Sequence, residues 1–138
     1  MNTSDHNSQA RWPGGEFNQD LTPTEFEAEF WGEVLKRQPY YEDVLRRCAE
    51  TLARAGRYEE LLPLDRRIVA LRPDDAVVHY HLACTLARLD DLEGSLATLT
   101  KALHLGYDDF GHLETDPDLD PLRELPEFLA LLRAAKEH

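Results

Sequence analysis

The sequence predicts an all-α fold, a short solenoid of helix-turn-helix repeats closed by C-terminal capping helices, on three observations. Pro39 and Pro73 stand 34 residues apart, and the same step lands on Tyr107 at the end of a third apolar run. Each full period holds two runs of helical spacing joined by a short turn, RAGRY at Arg54 to Tyr58 and RLDDL at Arg88 to Leu92. Beyond Tyr107 the period breaks into a leucine-bearing tail, as the last unit of a stacked array requires, because its outer apolar face has no further repeat to cover it.

Taken in order, residues 1–20 are rich in Asn, Ser, Gln, Asp and Gly and too poor in apolar side chains to fold alone, so they read as a flexible arm. Trp12 and Phe17 are its two large aromatics and candidates for docking, on this chain or a second copy. Order begins at Thr22, which can cap a helix, with Pro23 at the first helical position and Glu25 placed to complete a capping box. Phe26, Phe30, Trp31, Val34 and Leu35 continue at helical spacing until Gln38-Pro39, where proline disfavours the helical conformation of the residue before it. Sliding the chain by one period aligns Val34, Ile68 and Ala102, then Leu35, Val69 and Leu103, and also Leu52 with Leu86 and Tyr58 with Leu92. Every aligned position is apolar. Gly56 supplies the left-handed conformation that ends one helix, and Asp90 and Asp91 can cap the helix after the second turn.

At these residues the chain resembles a tetratricopeptide repeat protein. The first full repeat, residues 40–73, matches at Leu45, Cys48, Ala49, Leu52, Gly56, Tyr58, Leu61, Ile68 and Pro73. The second, residues 74–107, offers His79, Leu82, Ala83, Leu86, Leu92, Ser95, Leu99 and Ala102. Four positions depart from the pattern: His79 replaces the large aromatic, Asp65 a bulky apolar residue, Asp90 the glycine and Tyr107 the closing proline. Residues 21–39 then form a half repeat and residues 108–138 a cap, all within one domain from 21 to 138. The tail, with its Asp-Pro-Asp-Leu, Leu-Arg and Pro-x-Phe, is similar to those that close many bacterial tetratricopeptide domains. Leu113, Leu119, Leu122, Leu125, Phe128, Leu131 and Leu132 are its covering residues.

Charge narrows the partners. The chain carries 27 acidic and 15 basic side chains, a formal charge of −12, which opposes association with nucleic acid or an anionic membrane. No apolar run reaches the length of a membrane span, and two isolated cysteines, Cys48 and Cys84, make neither a disulfide framework nor a thiolate metal site, so both are expected to be buried free thiols. A cytoplasmic setting is expected. The acids are unevenly spread: from Trp31 to Pro73 bases outnumber acids by nine to seven, whereas from Asp74 to His138 there are fourteen acids and five bases.

The segment from Asp116 to Glu127, DPDLDPLRELPE, places carboxylates where a calcium-binding EF-hand loop needs oxygen ligands. Pro121, however, occupies the sixth position, where glycine turns the chain, so calcium regulation is only a distant alternative and Asp116, Asp118 and Asp120 read as helix caps and first-turn acids. His81 and Cys84 offer only two metal ligands, His79 points to another helix face, and no Gly-rich phosphate loop or nucleophile elbow occurs. The expectation is no cofactor and no enzyme activity.

Binding remains. The resemblance implies a groove lined by the first helix of each repeat, with Asp43, Arg46, Arg47, Glu50 and Arg54 contributed by one and Val77, Tyr80, His81, Cys84 and Arg88 by the next. Four arginines there suit a protein or peptide partner with an acidic segment, because the guanidinium fork matches a carboxylate. Glu50 and Cys84 stand where the family's carboxylate clamp needs asparagines, so chaperone-tail recognition is not expected. The alternative is a self-associating scaffold, a homodimer through the apolar N-terminal end at Phe26, Phe30 and Trp31, helped by Trp12 and Phe17.

Overall fold

The structure, a computed structural model, describes residues 11–12, 15–16, 21–39 and 41–137. Strands β1 (Arg11–Trp12) and β2 (Gly15–Glu16) pair antiparallel, Arg11 opposite Glu16 and Trp12 opposite Gly15. The remainder of the proposed arm lies outside the described residues, as does Phe17. The other regular structure among the described residues is helical, and it divides between Arg57 and Tyr58 into two compact units. No described helix is long and apolar enough to cross a membrane.

The first unit contains α1 (Pro23–Arg37) and α2 (Glu42–Arg54). The capping box forms as expected: Glu25 N–H donates to Thr22 Oγ1 at 3.1 Å, and Thr22 N–H donates to Glu25 Oε1 at 3.0 Å. Along α2 the buried residues Val44, Leu45, Cys48, Ala49 and Leu52 fall on one stripe, as a helix with a single covered face dictates. Gly56, at φ +72°, ends it, and Arg57 N–H returns to the Leu52 carbonyl at 2.9 Å.

The second unit runs through α3 (Tyr58–Leu71), α4 (Ala76–Arg88), α5 (Leu92–His104), α6 (Phe110–Thr115), a 3-10 helix (Pro117–Leu122) and α7 (Pro126–Lys136). Helix α4 is its axis: every residue from Val78 to Ala87 except His81 is buried. Small side chains let α5 approach it closely. Ala83, Ala87 and Ala102 are fully buried, and Ser95 Oγ donates to the Ala83 carbonyl at 2.7 Å, satisfying the hydroxyl inside the contact. The tail closes this core from the other side. Leu113, Leu119, Leu122 and Phe128 are buried against Tyr80, Cys84 and Leu99, while Leu125, Leu131 and Leu132 are partly buried around them. Arg123 fastens the turns of the tail by donating from Nε to Asp120 and from its two Nη atoms to the carbonyls of Leu113 and Asp116.

One expected cap is corrected. Asp91 does cap α5, accepting from Gly94 N–H at 2.9 Å, but Asp90 takes φ +65°, the left-handed conformation that Gly56 takes one period earlier. An L-residue there carries a cost of about 1–2 kcal/mol, partly offset because glycine loses more chain entropy on folding. Asp90→Gly is therefore expected to stabilise the chain by about 0.5–1 kcal/mol, read as a higher urea midpoint at unchanged slope.

Candidate interaction face and its carboxylate hub

The predicted groove residues occupy equivalent positions on α2 and α4, and their exposure separates them into two classes. Asp43, Arg47, Glu50 and Arg54 are all exposed, and their spacing of four, three and four residues places them on one face of α2. The matching stripe of α4 is Val77, His81, Cys84 and Arg88; of these, Val77, His81 and Arg88 are exposed, whereas Cys84 is buried. Arg46 and its equivalent Tyr80 lie further inward, half-buried and buried respectively.

Each arginine already has an intrachain partner. Arg46 pairs with Glu42 at 3.0 Å and Arg54 with Glu27 at 3.3 Å, Arg47 lies 5.6 Å from the centre of the Trp31 ring, and Arg88 pairs with Asp118 at 2.6 Å. The Arg88 guanidinium also covers the Tyr58 ring at 5.5 Å. On α1, Phe30 meets Trp31 edge-on at 5.3 Å and stacks with Phe26 at 6.4 Å, all three half-buried. These are the aromatics that the sequence marked for self-association; of Trp12 only the backbone is described.

Beneath the α4 stripe lies a constellation invisible in the sequence. Asp116, buried at the start of the 3-10 helix, receives the Tyr80 hydroxyl on Oδ2 at 2.6 Å and the Cys84 thiol on the same oxygen at 3.7 Å. His112 Nε2 stands 3.1 Å from that oxygen, and Asp118 N–H donates to Oδ1 at 2.9 Å. The Tyr80 ring stacks flat on Tyr107 at 4.3 Å, with the His112 ring 5.7 Å away. Burial by itself would raise the Asp116 carboxyl, but the Tyr80 hydroxyl, the Asp118 N–H and His112 outweigh it and hold the group below the usual carboxylate range. Burial, then the adjacent Asp116 carboxylate, pushes both the Tyr80 hydroxyl and the Cys84 thiol upward, so neither ionises readily.

The segment read as a distant calcium loop is built differently. Residues 117–122 form the 3-10 helix with Pro121 inside it, and the three aspartates point to different donors: Asp116 to Tyr80, Asp118 to Arg88 and Asp120 to Arg123. The donors around Asp116 come from α4, α6 and the 3-10 helix, with Tyr80 36 residues from it in sequence and Cys84 32.

No protein-family model matches the chain. Its backbone resembles that of MamA (41 to the end) from Desulfovibrio magneticus RS-1, with a TM-score of 0.57 at 19% identity over 80% of this chain and 66% of that one. The fold is a tetratricopeptide-like helical solenoid. In sequence the chain is 34% identical over 85 residues to a protein of Arabidopsis thaliana described as chloroplastic, a stretch covering 59% of this chain and 25% of that protein. The matched stretch thus spans a quarter of the relative's length.

Proposed function

We propose that the chain is a non-catalytic protein-interaction module that holds an acidic segment of a partner protein on the exposed stripe of α2, with the α4 stripe a second surface of the same kind. The observation that carries this reading is the character of the arginine contacts. The Arg54–Glu27 pair is about half exposed on both sides, and the Arg88–Asp118 pair more than one-third exposed. Surface pairs of this kind are each worth only about 0–1 kcal/mol. A ligand carboxylate that engages a guanidinium through two hydrogen bonds can replace such a partner at small cost, which leaves the arginines available in practice. Val77, 48% exposed at the start of the α4 stripe, supplies an apolar contact near Arg88's helix face. Both cysteines are buried thiols outside any disulfide, which suits the reducing cytoplasmic setting expected from the sequence.

The test is fluorescence anisotropy with a labelled Glu-rich peptide and its Gln-for-Glu counterpart. Saturable binding of the Glu peptide, weakened by salt and by about tenfold (~1.4 kcal/mol) in Arg54→Glu, is expected. Equal binding of both peptides would remove the acidic specificity. Failure of either to saturate would remove the peptide-binding reading on these faces.

A further inference from the structure

We propose that Cys84, Asp116 and Asp118 form a zinc site that ties α4 to the C-terminal cap. Cys84 Sγ and carboxylate oxygens of Asp116 and Asp118 all lie within 4.8 Å of one another. His112 Nε2 stands 3.1 Å from Asp116 Oδ2 but outside this three-residue set. In a tetrahedral zinc centre, with Zn–S near 2.3 Å and Zn–N or Zn–O near 2.0 Å, neighbouring ligand atoms are separated by about 3.3–3.5 Å. The observed Cys84–Asp116 separation of 3.7 Å is close to that edge.

Donor chemistry selects the ion. One thiolate and two carboxylates, with solvent at the fourth position, suit zinc, whereas calcium and magnesium take oxygen ligands only. The surroundings provide what such a centre needs. Tyr80 donates to the Asp116 carboxylate and fixes its orientation, the outer-shell role that sets ligand geometry in metal sites. Arg88, bonded to Asp118 through Oδ1, balances the charge: a thiolate and two carboxylates carry three negative charges, and zinc with one guanidinium carries three positive. Cys84 and Asp116 are buried, but the Asp118 side chain is 34% exposed, so the set opens to solvent on one side. On binding, a zinc–sulfur bond replaces the sulfur–hydrogen bond of Cys84, and the proton leaves to solvent without any change of oxidation state.

The experiment is titration of the full chain with Zn²⁺ by calorimetry and with Co²⁺ by absorption. One ion per chain and a near-ultraviolet thiolate-to-cobalt band are expected. Cys84→Ser should abolish the band and weaken zinc by more than about 100-fold, beyond the 10–100-fold typical of an outer-shell change, whereas Cys48→Ser should alter neither. Absence of the band, or a band lost with Cys48 rather than Cys84, overturns the proposal. Should Cys84→Ser fail to fold by circular dichroism, Asp118→Asn decides. A loss of zinc affinity of at least about tenfold upholds the site, and an unchanged affinity overturns it.

Discussion

Phe128→Ala is expected to destabilise the chain by about 3–5 kcal/mol, the range for removing a buried aromatic side chain from a packed core. Phe128 is 2% exposed and is the sole fully covered residue of α7, where it meets the apolar cluster that includes Tyr80, Leu99 and Leu113. Its loss leaves a cavity at the closed end of the array, where the neighbouring leucines come from short helices and have little freedom to collapse inward. Domains of this size have about 5–15 kcal/mol in total, so the variant should unfold at a much lower urea concentration. Far-ultraviolet circular dichroism gives the midpoint, and an unchanged slope would attribute the loss to stability rather than to a change in exposed surface. A change below about 1 kcal/mol would mean that α7 does not seal the core and that the leucines of α6 and the 3-10 helix suffice.

The features that local patterning encodes were legible. Thr22, Pro23 and Glu25 specify a helix start from within four residues, and Gly56 specifies a stop by its own conformational freedom. The apolar positions of the tail were readable too, because a period that breaks while its leucines continue must be covering something. What could not be read were the polar pairings across the chain. Periodicity tells which face of a helix is covered, not which side chain meets it. Thus Asp116 reads correctly as a cap, accepting from Asp118 N–H, yet nothing local announces that its other oxygen receives Tyr80 from 36 residues away. Cys84, a buried thiol as expected, is nonetheless aligned by the 34-residue offset with exposed Glu50, and it is the tail that covers it. Arg46, Arg47 and Arg54 were visible within the net-positive stretch, while Glu27 and Asp118, the partners of Arg54 and Arg88, lie 27 and 30 residues distant.

Asp65 is another departure from the repeat pattern, and it makes stability depend on pH. It is 6% exposed in α3, where an apolar residue is expected, and its Oδ2 receives the Thr85 hydroxyl of α4 at 2.6 Å. Burial pushes its pKa up to about 6 from the usual 3.8, and the Thr85 hydrogen bond only partly opposes this. The folded chain therefore binds this proton more tightly than the unfolded chain does. As pH falls from 7 through 6 toward 4, the native state takes up a proton that the unfolded state still lacks, so this group makes the fold more stable, by at most about 3 kcal/mol. Asp116 acts in the opposite sense: its carboxyl is held low, and the stability it contributes is lost only as pH falls below the ordinary carboxylate range. Asp65→Asn keeps a polar partner for Thr85 and removes the charge. At pH 7 it should be more stable than the parent by about 2–3 kcal/mol, and by pH 4 the two should converge. The difference between the two chains isolates Asp65 from the other ionisable groups. Parallel stability curves from pH 7 to 4 would show that Asp65 ionises in the folded chain as freely as in water, and that the α3–α4 contact admits solvent at that point.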